Sequence, residues 1–440
     1  MATTAIKAGR LIDGIGAEVR RNEVILIEGK TIERIGGETE VTIPAGTLTV
    51  DASSYTVMPG MMDIHLHLSA FNNRTFRNCR VAQWEVTPQL QELYTLFHAQ
   101  LCFEMGFTTL RDLGGITSRG LFTEELVAVR NIINAGCIAG PRLLVGGFTI
   151  MTCSHLDLIL PKAALRPNPM TTGDGPWELR KLARLNVRQG CDVIKACASG
   201  GGGTDNEDPD IRNMTQEELD AIVDEAHALG KRCAVHCFTP ESQRMALKAG
   251  ADTIEHMVFH DDETLERIRQ AGVWMVPTLS HRTDHAIEIR RQTGTAKFVL
   301  DKMKKLQPYC FETFQKCHRL GINIACGTDM QLEPGMGSNA QELEIYCDLG
   351  MTPMEAILTA TRNAAIAIGR GHDLGTLKAG NLADIVIVDG DPLADIKVLQ
   401  ERERIVTVMK EGEVYIDRRE GTHRKEVVHA KPDSWRKIDA

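Results

Sequence analysis

A chain of 440 residues, 43% of them apolar, is long enough for one large domain and a smaller one, each with its own core. Fifty Lys and Arg stand against 59 Asp and Glu, and the net charge of −9 argues against a nucleic-acid face or an anionic membrane partner, leaving a small-molecule substrate. No run approaches the roughly eighteen apolar residues of a membrane span. The start, MATTAIKAGRLIDGIGAEVRR, lacks the apolar stretch of a secretory signal, so a cytoplasmic location is expected.

Residues 1–59 carry short β-rich runs such as EVILIEG and LTVDAS, broken by Gly, Asn and Pro. The same texture returns in ADIVIVDGDP (Ala383–Pro392) and RIVTVMKEGEVYI (Arg404–Ile416), which predicts a small β-sandwich domain assembled from 1–59 and 370–417. Between them, residues 60–369 alternate apolar strands with amphipathic helices. The strands are GMMDIHLHL, FTTLRDLG, PRLLVGG, CDVIKACAS, KRCAVHCF, ADTIEHM, VWMVPTLS and NIACGTDM. The clearest helices, TQEELDAIVDEAHALG (Thr215–Gly230) and PESQRMALKAG (Pro240–Gly250), are each closed by a glycine. Eight such units predict an α/β fold, a (β/α)8 TIM-like barrel with its reactive groups at the C-terminal strand ends. A doubly wound sheet would need a glycine-rich phosphate loop after its first strand, and none follows.

The glycines of SGGGGTDNEDPD (Ser199–Asp210) precede acids rather than Lys-Ser or Lys-Thr, so they predict a mobile loop over the site and no phosphate cradle. The tail 418–440 reads as a solvated C-terminal extension or a subunit contact. Of twelve cysteines, Cys102, Cys191, Cys197, Cys233, Cys237 and Cys326 sit in or beside apolar segments and read as buried thiols.

Polar residues recur late in the apolar runs. In MPGMMDIHLHL (Met58–Leu68), strand alternation puts His65 and His67 on one face, where two imidazoles can chelate one ion of the zinc type. Lys195 ends the apolar run of the fourth strand, His236 the fifth, His256 the sixth and Asp329 the eighth. An ammonium inside VIKACA is costly unless paired with an acid or neutralised. A neutral amine can add carbon dioxide to become a carbamate, an anion able to bridge two metals.

With these residues and the closing stretch GTLKAGNLADIVIVDGDPL (Gly375–Leu393), the chain resembles the amidohydrolase superfamily of metal-dependent hydrolases over nearly its whole length. The resemblance implies a barrel with a β-sandwich and two divalent ions, most readily zinc. His65, His67 and Asp329 would hold the buried ion and His236 and His256 the exposed one, bridged by N6-carboxylated Lys195. It also implies hydroxide attack on a polarised carbonyl with Asp329 as general base, and a homo-oligomeric assembly. His155, in MTCSHLDLI, is a candidate donor to the carbonyl oxygen.

The nearest subgroup resemblance is to imidazolonepropionase-like and dipeptidase-like members. Where the dipeptidase pattern has a glycine-flanked histidine and His-Ala-Tyr, this chain has Ser154-His155-Leu156 and His236-Cys237-Phe238, so a phenolic hydroxyl is absent. With Met151, Phe238, Met257, Phe259 and Met330 near strand ends, an apolar N-substituted amide, urea or carbamate is the expected substrate. Release of a C-terminal amino acid by a dipeptidase or carboxypeptidase is the alternative. A mononuclear deaminase is disfavoured by Lys195 and a non-catalytic scaffold by the complete ligand set.

Overall fold

The computed structural model describes residues 3–16, 18–69, 78, 81, 85–115, 124–159, 172–203, 207–331 and 335–428. Parts of two predicted features, 204–206 of the glycine loop and 429–440 of the tail, lie outside these residues. Among the described residues no helix is long and apolar enough to cross a membrane.

Strands from both chain ends form one seven-stranded sheet: β1 (Thr3–Leu11), β2 (Arg20–Glu28), β3 (Thr31–Gly37), β4 (Leu48–Pro59), β12 (Ile385–Val388), β13 (Ile405–Lys410) and β14 (Glu413–Asp417), in the order β14-β13-β12-β4-β1-β2-β3. Ile6, Leu11, Ile25, Val57, Ile385 and Ile387 make its apolar cluster, and the runs Val24–Ile27 and Ile385–Val388 are buried throughout. The sheet is tied to the barrel electrostatically. Arg142, at the start of a barrel strand, donates to Asp384 at 2.6 Å and to Glu411 at 2.9 Å.

The second sheet is wholly parallel: β5 (Met61–Leu66), β6 (Phe107–Asp112), β7 (Arg142–Thr149), β8 (Val193–Cys197), β9 (Arg232–Cys237), β10 (Thr253–His256) and β11 (Trp274–Val276), neighbours in chain order. Seven of the eight predicted strands thus form ladders. The eighth, NIACGTDM, closes the ring through isolated bridges, Met275 to Ile324 on one side and Leu66 to Met330 on the other. Its irregularity has two causes. A Cβ on Gly327 would lie 2.7 Å from that of His65, and Asp329 takes a left-handed φ of 52°, so the segment bends past the first strand instead of pairing straight along it.

The two helices read from sequence form as expected. Gln216–Ala228 starts at a capping box between Thr215 and Glu218, and Pro240–Ala249 starts at Thr239 with Pro at its first turn and ends at Gly250. All the described cysteines are free, and the six predicted thiols are buried. In the described part of the tail residues 420–425 are exposed, while its two ends dock on the barrel: Glu104 accepts from Val427 N at 2.5 Å and Val428 N at 2.9 Å, and pairs with Arg402 and Arg418. Burying two arginines and a glutamate there is tolerable only because each finds a charged partner.

Candidate active site at the C-terminal strand ends

All six predicted metal-site residues, together with His155 and Phe238, line one open-mouthed cavity. The ligand atoms of His65, His67 and Asp329 lie within 4.8 Å of one another. His236 and His256 stand ring to ring at 4.6 Å, and His256 is 4.8 Å from the His65 ring. Lys195 Nζ lies 3.5 Å from His65 Nε2. Lys195 is only 3% exposed, yet among the described residues no carboxylate pairs with it. The ordinary reason for a lysine in a core, an ion pair, is missing.

Each histidine is held by one ring nitrogen, which leaves the other for the cavity. His65 Nδ1 donates to Glu255 Oε2 at 2.6 Å and His67 Nδ1 to the Gly114 carbonyl at 2.8 Å, while His256 Nδ1 shares a hydrogen bond with Thr278 Oγ1 at 2.8 Å. His236 instead uses Nε2, toward the Gly200 carbonyl at 3.0 Å. The carboxylate and carbonyl partners fix the tautomers. Burial, helped by Lys195, holds His65 down to about 4. Burial also pushes His236 and His256 well below the usual range, aided by His155 and His236 respectively. All three are therefore neutral imidazoles with a lone pair to offer at neutral pH. Asp329 behaves oppositely: burial would raise it, but His281, His67 and His65 outweigh burial and keep it ionised.

The backbone at these strand ends is bent in a way side chains rarely adopt. His256, Met257, Thr278 and Asp329 all have φ between 51° and 73°. Strain of about 1–3 kcal/mol each is the usual size for such residues, and such strain clusters where function fixes the geometry.

A model of the amidohydrolase family matches residues 56–415. The chain belongs to the amidohydrolase family. Ochratoxinase of Aspergillus niger is 31% identical over 436 residues, covering 94% of this chain and 86% of that protein. The crystal structure of A. niger ochratoxinase superimposes with a TM-score of 0.80 at 30% identity, covering 94% of this chain and 96% of that one. The structure of a Xaa-Pro dipeptidase with methionine bound in its active site superimposes with a TM-score of 0.85 at 32% identity, covering 94% and 100%. As an amidohydrolase, this protein is a hydrolase of carbon–nitrogen bonds of the amide or peptide type, and the family's general use of divalent metals agrees with the His65, His67 and Asp329 group.

In this amidohydrolase the predicted apolar residues lie in different surroundings. Met257 is 0% exposed and packs in the core, on a left-handed turn that it shares with His256. Met151 also packs against that core. Met330 lines an adjoining pocket, and Phe259 stacks edge-on against Tyr309 at 5.1 Å. Phe238 remains, joined by Phe148, Leu156, Val299 and Met303.

Several residues of the site escaped the sequence reading. Glu255 orients His65 and is itself held by Arg111 at 3.0 Å; both are charged residues inside apolar strands, the same signal that marks Lys195. Glu207, in the glycine loop, hydrogen-bonds His155 Nδ1 and accepts from Gly201 N at 2.5 Å. His281 Nε2 lies 3.4 Å from Asp329 Oδ2, and Arg282 and Arg290 line the cavity beyond it.

The turn carrying His281 and Arg282 hangs on Glu342, whose carboxylate accepts from Leu279 N at 2.7 Å and Ser280 N at 2.6 Å. Burial pushes Glu342 up to about 7 from an ordinary 4.5, so the native state holds an extra proton between those values. Stability therefore falls as pH rises through that window, by an amount on the order of 3 kcal/mol. Urea titrations from pH 4.5 to 8 are expected to show that decline, and to show it flattened in Glu342→Gln; equal slopes would remove Glu342 as the cause.

Proposed function

We propose that this amidohydrolase cleaves an amide C–N bond with two divalent cations. His65, His67 and Asp329 would hold one cation and His236 and His256 the other, with Lys195 bridging as a carbamate. The observation that carries this reading is Lys195, buried beside His65 with no carboxylate partner among the described residues. The donor set fits: neutral imidazole nitrogens, an ionised carboxylate and a buried amine suit zinc and similar ions. Such cations, when bound, would supply an acidified water as nucleophile and a Lewis acid for the substrate carbonyl.

The chain's own residues then divide the remaining work. Asp329, kept ionised by three histidines and steadied by Gln331 Nε2 at 2.9 Å, takes the proton of the attacking water and returns it to the leaving nitrogen. His155, its Nδ1 engaged by Glu207, would donate from Nε2–H to the carbonyl oxygen. Phe238, Phe148 and Leu156 exclude water around the bond and favour an apolar substituent there.

Two substrate classes fit this cavity. An uncharged N-substituted amide, urea or carbamate suits its aromatic wall. An amide whose leaving group is an amino acid suits the arginines at its mouth, and the methionine in the related dipeptidase structure supports that second reading. A hydrolysis screen of the metal-loaded protein on N-acyl amino acids, dipeptides, aryl amides, phenylureas and carbamates is expected to show turnover in one of these two classes. Loss of all turnover on chelation is expected too; turnover that survives chelation would remove the cation pair from the mechanism.

A further inference from the structure

Arg282 is 6% exposed and lines the cavity, yet among the described residues its guanidinium meets no carboxylate. The guanidinium lies over the Phe238 ring, 5.4 Å from the centroid. Phe238 in turn stacks on His236 at 4.4 Å, so the guanidinium sits one ring away from the metal-site histidines. A buried arginine without an acid is costly, and a cation–π contact of about 0.5–2 kcal/mol offsets only part of that cost. The arrangement is complete only with an anion present.

The backbone beneath it is fixed in advance. Glu342 anchors the two amides before His281, Ser280 Oγ donates to the Thr328 carbonyl at 3.2 Å, and Gln307 Nε2 donates to the Arg282 carbonyl at 2.8 Å. Arg282 shares the cavity lining with Asp329 and the histidines, so an anion bound there would sit at the site itself. Position says which part of the substrate the anion belongs to. Arg282 follows His281, which touches Asp329, the residue beside the departing nitrogen.

The geometry points to Arg282 as a specificity-determining residue that binds a carboxylate on the leaving-group side, making N-acyl amino acids with an apolar acyl group the substrate class. This assignment rests on the amide-hydrolase reading above and narrows it to one of its two classes. The planar fork of the guanidinium matches a carboxylate bidentately, and Phe238 holds that plane in place without offering a competing hydrogen bond.

The test compares N-benzoylphenylalanine with N-benzoylphenethylamine, which lacks only the carboxylate, on the full-length metal-loaded protein. Wild type is expected to prefer the first, and Arg282→Gln to lower the ratio of the two kcat/KM values about 100-fold. Should Arg282→Gln not fold, Arg282→Lys keeps the charge without the fork, and its ratio is expected to fall about tenfold. A ratio that neither variant changes, or a wild type that prefers the compound without the carboxylate, overturns the assignment. If wild type turns over neither compound, the hydrolase reading fails separately and calorimetry decides on Arg282: weaker binding of N-benzoylphenylalanine to the variant supports it, and equal Kd values overturn it.

Discussion

Asp329→Asn is expected to lower kcat by about 10³–10⁴-fold on every amide that the wild type cleaves, with the fold retained. The carboxylate sits 3.2 Å from His67 Nε2, 3.7 Å from His65 Nε2 and 3.4 Å from His281 Nε2, so in the proposed mechanism this one residue would carry ligand, base and proton-return roles together. The amide is nearly the same shape, and Asp329 keeps its left-handed backbone more readily as Asn than as any other residue except Gly. What is lost is the negative charge. Steady-state kinetics with matched circular dichroism check this; a variant within tenfold of wild type would assign the base elsewhere.

Arg111→Met is expected to destabilise the metal-free protein by about 3–5 kcal/mol, because it strips a partner from a fully buried charge. Arg111 bridges three places in the barrel interior: the Ile64 carbonyl at 2.5 Å, Thr253 Oγ1 at 3.2 Å and Glu255 Oε1 at 3.0 Å. Burial would raise Glu255, but Arg111 and His65 outweigh it and hold the carboxyl at about 2. Without the arginine, Glu255 is a poorer anchor for His65 Nδ1, and metal affinity falls by roughly 10–100-fold, the usual size of such outer effects. Arg111→Lys restores the charge without the fork and recovers only part of both losses. Urea unfolding of the metal-free protein and chelator competition measure the two effects independently; a variant as stable as wild type would mean Glu255 is neutralised some other way.

The residues that could be read from sequence share one property. His65, His67, Lys195, His236, His256 and Asp329 are polar groups at the ends of apolar strands, where burial needs a chemical reason, and all six meet in one cavity. Arg111 and Glu255 obey the same rule and could have been found by it. His281 and Arg282 could not, since they lie past their strand in a single turn of 3-10 helix with no periodicity to mark them. The surroundings of the methionines were not legible in the sequence for a local reason. Hydropathy says that Met257 is buried but not on which side, and the answer depends on a left-handed bend that its own sequence does not announce. The broken eighth strand has a similar origin, because Gly327 yields to His65, a neighbour more than 250 positions away in the chain.

The most direct test of the cation pair is a metal-to-protein ratio, by inductively coupled plasma mass spectrometry, on active protein freed of loose ions, in wild type and Lys195→Ala. Two divalent ions per chain in wild type, falling to one or none with loss of turnover in Lys195→Ala, is the predicted result. One ion per fully active chain, or two retained without Lys195, would contradict a bridged pair.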